Sequence, residues 1–193
     1  PGANAELALL PGFTPSADIA VALAQLETPQ AVTAALFRAL PGTRRILNVA
    51  PAAPILPELL ATTDMLVLNE TEAAILAQRE ALPAALALSL AAETMREVIV
   101  TAGAAGAFWA RPDGVVIAAT PPRITVADTT GAGDAFLAGL LHQLCVQPQL
   151  LDGNSAEALR FASACGALVC GGAGAIDPQP TQEQVEAFLA GHL

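Results

Sequence analysis

Residues Asp128-Thr129-Thr130-Gly131-Ala132-Gly133-Asp134 combine two carboxylates, two hydroxyls and two glycines at a spacing that suits phosphate chemistry. The apolar run Ala135-Phe136-Leu137-Ala138-Gly139-Leu140-Leu141 follows at once, so these small residues lead into a helix. The first amides of a helix lack intrahelical acceptors and the macrodipole is positive there, so Gly131 to Asp134 can present N–H groups to an anion. Glycine lets a phosphate approach the backbone closely. A carboxylate at Asp134, beside such a nest, stands where a general base is needed for a hydroxyl attacking a γ-phosphate. Taken alone, the same residues also describe a tight glycine turn followed by an ordinary acid in a first helical turn.

Positioning such a motif requires a framework, and the chain supplies an alternating one. Asp18–Leu26, Arg45–Ala50, Met65–Leu68 and Val98–Thr101 read as strands. Gln30–Leu40, Glu70–Ala77 and Pro83–Met95 read as the helices between them, an order that favours a parallel sheet covered by helices. Ala107–Arg111 and Val115–Ala119 flank Pro112-Asp113-Gly114 as a hairpin, since Pro and Gly supply turn dihedrals. Helices are expected over Asp134–Cys145, over Ala156–Val169 with Ser155 as N-cap, and over Glu183–Ala190 with Thr181 and Gln184 spaced as a capping box. Pro51–Pro57 and Pro178–Pro180 read as connectors, and Gly171-Gly172-Ala173-Gly174 as a flexible loop.

Composition bounds the function. The 193 residues are 54% hydrophobic and carry a net charge of −10, with eight Arg and no Lys. One domain over 1–193 with one core is expected, and no basic stripe exists to bind nucleic acid. Charges, Pro and Gly interrupt every apolar run before it reaches membrane-spanning length. Cys145, Cys165 and Cys170 are too few and uneven for a disulfide framework, which fits a reducing, cytoplasmic setting. The opening Pro1-Gly2-Ala3-Asn4 reads as the middle of a longer sequence.

Several functions are excluded by missing residues. A Walker P-loop needs a lysine, and no G-x-G-x-x-G follows a strand. No G-x-S-x-G elbow is present. His142 and Cys145, or Cys165 and Cys170, would need further convergent ligands to hold zinc, so buried thiols and a surface His are expected.

The Asp128–Asp134 segment resembles the C-terminal signature of the ribokinase-like (PfkB) carbohydrate kinases. Gly2-Ala3-Asn4-Ala5, Gln25-Leu26-Glu27-Thr28-Pro29, Leu47-Asn48-Val49-Ala50-Pro51-Ala52, Asn69-Glu70-Thr71-Glu72-Ala73 and Thr101-Ala102-Gly103-Ala104-Ala105-Gly106 agree with that family in order. The resemblance implies an α/β, three-layer ribokinase-like fold, with a mainly parallel sheet between helices, and an N-terminal part and lid lying outside this chain. It implies an ATP-dependent kinase acting on a sugar primary hydroxyl, D-ribose foremost, with Asp134 as base and the Gly131-Ala132-Gly133 amides as anion hole. Another sugar or nucleoside kinase of the family stays open, as does a non-catalytic nucleotide-binding module should the chain be complete.

The resemblance also assigns further roles. Asn4 and Glu27 would contact the sugar. Asn69 and Glu72 would organise the phosphates and Mg²⁺ through water, although Glu70 and Glu72 alone read as acids complementing a helix dipole. Thr101, Gly103, Gly106, Gly133 and Ser163 would line the nucleotide. Asp128, with carbonyls at Thr130, Val169, Gly172 and Gly174, would hold K⁺. A homodimer would form through the N-terminal lid. Ala105, Ser163 and Pro178 depart from the family's usual Lys or Arg, Asn or His, and small polar residue.

Overall fold

The computed structural model describes residues 2–16, 18–147, 155–176 and 179–191. Six strands, β1 (Val21–Gln25), β2 (Arg44–Asn48), β3 (Met65–Asn69), β4 (Glu97–Thr101), β5 (Ala107–Ala110) and β6 (Val116–Ala119), form one mixed, mostly parallel sheet in chain order. Helices α1 (Gln30–Arg38), α2 (Pro57–Thr62), α3 (Glu70–Ala77) and α4 (Pro83–Thr94) connect the first four strands. Helices α5 (Ala132–Val146), α6 (Ser155–Cys170) and α7 (Gln182–Ala190) follow the last. Among the described residues no helix is long and apolar enough to cross a membrane.

The chain divides into two compact units, Pro1–Val100 with Ala110–Val116, and Thr101–Trp109 with Ile117–Leu193. In the first, β1 pairs with β2 and β2 with β3, both parallel, with Leu23 opposite Ile46 and Ile46 opposite Met65. Met65, Leu66, Val67 and Leu68 are all buried, as are Val98, Ile99 and Val100, because strands of a parallel sheet covered on both faces read as unbroken apolar runs. Register is fixed at the strand starts. Arg45 donates from its backbone N–H (2.8 Å), Nε (2.9 Å) and Nη2 (2.8 Å) to the Asp64 carboxylate, and the Asp64 N–H returns a bond to the Arg45 carbonyl at 2.8 Å.

The second unit is built around close helix packing. A Cβ at Gly139 of α5 would lie 2.6 Å from the Cys165 sulfur and 3.1 Å from the Ala162 Cα of α6, and one at Gly166 would lie 3.0 Å from the Ala132 carbonyl oxygen. Small residues therefore let the two backbones approach, and Ala135, Phe161, Ala164, Cys165 and Val169 fill a core shared with Val185 of α7. Thr181 caps α7 in a reciprocal box with Gln184, which satisfies two otherwise unpaired amides.

Several expectations from sequence need correction. The first strand begins at Val21 rather than Asp18 and ends at Gln25, with its ladder opening at the Arg44 N–H to Ala20 carbonyl bond of 2.9 Å. The segment after Pro51 is not all connector, since Pro57 starts the short helix α2 around buried Leu59. Helix α5 begins two residues before Asp134. Ser155 lies inside α6, and its capping role falls outside the described side chains. Cys145 is exposed rather than buried, being one heptad beyond exposed Ala138 on α5. His142 is half-buried and stacks on Phe161, with ring centroids 5.6 Å apart.

Candidate active site

The start of α5 is made by one backbone conformation. Gly131 sits at φ 80° and ψ −2°, a left-handed conformation that a Cβ disfavours. A Cβ there would also lie 2.9 Å from the Ala175 Cβ, so only glycine fits between this turn and the 171–176 loop. The Ala135 N–H donates to the Gly131 carbonyl at 2.9 Å and opens the helical ladder. No side chain caps this end, and by helix geometry the Gly133 and Asp134 amides have no earlier acceptor in the helix. At Gly133, unlike Gly131, a Cβ would meet no protein atom within 4 Å. Asp134 is exposed in the same turn.

Asp128 ties that turn down. Its Oδ1 accepts from the Thr130 N–H (3.0 Å) and hydroxyl (2.8 Å), and its Oδ2 accepts from the Gly174 N–H at 3.0 Å. The Ala127 and Asp128 N–H groups both donate to the Cys170 carbonyl, at 2.8 and 3.3 Å, joining the turn to the end of α6. The Thr130 N–H, then its hydroxyl and the Gly174 N–H, hold the Asp128 carboxyl below the usual carboxylate range. The Val169 carbonyl accepts the Gly172 N–H at 3.2 Å. Asp128, Thr130, Val169, Gly172 and Gly174 therefore belong to two neighbouring segments, and Gly171–Gly174 is a bonded turn rather than a free loop.

Beside the uncapped helix start lies a cavity of ≈ 480 Å³, within the roughly 300–1,000 Å³ common to small-molecule sites. Thr101, Gly103, Gly106, Ala132, Gly133 and Ser163 all line it. Gly106 is fixed by its surroundings: at φ 95°, a Cβ there would overlap the Ala119 carbonyl oxygen. The Ala102 N–H donates to the Gly106 carbonyl at 2.7 Å and closes the loop after β4. Ser163 is only 6% exposed, and its Oγ has no hydrogen-bond partner. A buried hydroxyl left unsatisfied in a cavity wall is free to bond a ligand or a water there.

Sequence reasoning missed the rest of this wall. Pro121, Pro122, Ile124 and Val126 come from the stretch between β6 and α5, and Phe136 and Cys170 from the two helices. The stretch has no periodicity to read, and the helix residues are placed by the glycine-mediated packing of α5 on α6. Neither Cys165 nor Cys170 is poised as a nucleophile. Burial pushes the Cys165 thiol up to about 11, and burial with the nearby Asp128 charge raises Cys170.

The remaining expected residues do not line the cavity. Asn69 and Glu72 cap α3 reciprocally, with the Glu72 N–H donating to Asn69 Oδ1 and the Asn69 N–H to Glu72 Oε2, each at 2.8 Å. The capping box leaves the Asn69 amide nitrogen and Glu72 Oε1 available. Glu27 lies in the turn after β1 and Asn4 in a 3-10 turn over Gly2–Glu6, both exposed. Among the described residues no cluster of three or more His, Cys, Asp or Glu could hold a metal by itself.

Residues 14–182 match the pfkB family carbohydrate kinase. The chain belongs to the PfkB carbohydrate kinases. It is 33% identical over 197 residues to a ribokinase of Haemophilus influenzae, covering 97% of this chain and 62% of that one. A ribokinase of Arabidopsis thaliana complexed with ribose and ATP is 30% identical with a TM-score of 0.77, over 88% of this chain and 55% of that one. A fructokinase of Vibrio cholerae bound to fructose, ADP and calcium is 25% identical with a TM-score of 0.75, over 93% and 63%. This PfkB chain thus spans less than two thirds of each of these relatives, and its sheet with flanking helices is the ribokinase-like fold.

Proposed function

We propose that this chain is the nucleotide-binding and catalytic portion of an ATP-dependent kinase that phosphorylates a sugar primary hydroxyl, with D-ribose as the sugar. The observation that carries the reading is the uncapped start of α5. It presents Gly133, open to solvent, to a cavity that also holds the unpartnered Ser163 hydroxyl, and it places Asp134 in the same turn. Such a cavity suits a nucleoside triphosphate whose base lies among Pro121, Ile124, Val126 and Phe136 and whose phosphates reach the helix start.

In the proposed reaction, the Asp134 carboxylate takes the proton of the sugar hydroxyl as that oxygen bonds to the γ-phosphorus and the bond to the β–γ bridging oxygen breaks, releasing ADP. The amides of Gly131 and Gly133 meet the charge of the transferring group, joined by that of Ala132 once it leaves the Thr129 carbonyl it bonds at 3.3 Å. Thr101, Gly103 and Gly106 hold the nucleotide, and Asn4 and Glu27 contact the sugar. Glu72 Oε1 remains able to accept from waters around Mg²⁺, which would neutralise phosphate charge, and the Asn69 amide nitrogen remains able to donate to a phosphate oxygen. Asp128 and the carbonyls of Thr130, Val169, Gly172 and Gly174 supply the oxygen ligands K⁺ takes, and the ion would order the turn bearing the anion hole.

Initial-rate profiling of the full-length protein with ATP tests the sugar assignment. Ribose is expected to exceed fructose, adenosine and 2-keto-3-deoxygluconate in kcat/KM. A tenfold preference for one of the others would reassign the substrate within the family, and no transfer to any of them would overturn the kinase reading.

A further inference from the structure

We infer that Arg123 is the cationic contact for the phosphate tail of the bound nucleotide, a specificity residue that rests on the nucleotide reading of the cavity. The chain carries a net charge of −10, so an anionic ligand needs a local cation to offset the surrounding field. With no lysine, a permanent side-chain cation can come only from the eight arginines.

Most arginines are already engaged. Arg44 pairs with Glu97, Arg45 with Asp64 and Arg79 with Glu93, at 2.7 to 2.9 Å. Arg96 donates to the Leu60 carbonyl at 3.0 Å and Arg160 to the Leu189 carbonyl at 3.5 Å, and Arg111 has partners as well. Among the described residues Arg38 and Arg123 are left without a hydrogen bond or ion pair, and of these two Arg123 alone lines the cavity.

Every other lining residue except Cys170 is apolar, glycine, or a hydroxyl, and the Cys170 thiol is raised by burial and therefore neutral. Among the described residues the guanidinium is thus the one side-chain charge on the cavity wall. It shares that wall with Ala132 and Gly133 at the positive end of α5, so both attract the same sign of charge. Its planar fork suits phosphate oxygens, and an exposed, unpaired arginine binds them without first breaking another contact.

Calorimetric titration of adenosine, ADP and ATP into wild type, Arg123→Ala and Arg123→Lys tests this. Arg123→Ala should weaken ATP by about tenfold, leave adenosine within twofold, and flatten the salt dependence of ATP binding. Arg123→Lys should keep part of the ATP affinity, since it keeps charge but loses the fork. Arg123 is exposed, so melting temperatures should match wild type and exclude misfolding as the cause. Equal losses for adenosine and ATP would place the guanidinium on the base and overturn the proposal, as would unchanged ATP affinity. Wild type that binds none of the three nucleotides would instead overturn the nucleotide reading itself.

Discussion

Gly131 and Gly133 stand two residues apart in one motif, yet the geometry gives them opposite reasons for being glycine. At Gly131 the left-handed φ of 80° costs an alanine about 1–2 kcal/mol. The new Cβ would also press on Ala175 at 2.9 Å, adding about 1 kcal/mol or more as the 171–176 loop shifts. Gly131→Ala should therefore lose about 2–3 kcal/mol of stability. Because the strain falls on the turn that Asp128 ties to Gly174, anion binding should weaken too. At Gly133 a Cβ meets open space and the backbone is helical, so alanine should be neutral or add up to about 0.5 kcal/mol. That methyl would occupy the approach to the helix-start amides from the cavity side, and ATP affinity should fall at least tenfold. Urea unfolding followed by circular dichroism, with nucleotide titration on the same preparations, separates the two. A Gly133→Ala variant that binds ATP like wild type would refute the anion-hole reasoning, and an unstrained Gly131→Ala would refute the structural one.

Other residues give sharper single outcomes. Asp128→Ala should lower stability by releasing three hydrogen bonds and should remove any excess of kcat in KCl over NaCl at constant ionic strength; wild-type rates identical in the two salts would sink the K⁺ proposal. Burial alone would raise the Asp64 carboxyl, but the Arg45 guanidinium and N–H outweigh it and hold it below its ordinary value. The Asp64 contribution is thus full above the ordinary carboxylate range and lost as pH falls through the lowered value. Asp64→Asn should cost about 1–2 kcal/mol at neutral pH and progressively less below about pH 4, and a cost independent of pH would contradict the ion pair.

What the sequence disclosed follows from where local pattern is the whole cause. Met65–Leu68 and Glu70–Ala77 were legible because unbroken apolar residues and the helix-start acids Glu70 and Glu72 act within a few positions, whereas the Asn69 cap was not read from sequence. The Thr181 and Gln184 box was legible for the same reason. Strand β1 was overextended because Asp18, Ile19 and Ala20 precede the ladder, and only pairing with Arg44 shows where it starts. Helix α2 is too short for periodicity, with Leu59 its one buried residue. At the site, the glycines and Asp134 carried a recognisable signal, while the apolar wall of Pro121 to Val126 did not. Those residues form no regular element, and only the placement of the β6–α5 stretch against α5 and α6 makes them a cavity wall. Arg123 was hidden likewise, since a single arginine becomes informative only when its seven counterparts are assigned partners or positions.

The central claim is that Asp134 removes a proton from a sugar hydroxyl during transfer from ATP. Phosphorus NMR of reactions containing ATP, Mg²⁺, K⁺ and ribose, with wild type and Asp134→Asn at matched concentration, measures it directly. Ribose 5-phosphate and ADP should accumulate together with wild type. The variant should retain the fold and ATP binding but turn over about 10²–10⁴ times more slowly. Phosphosugar formed by the variant within threefold of the wild-type rate would contradict the account.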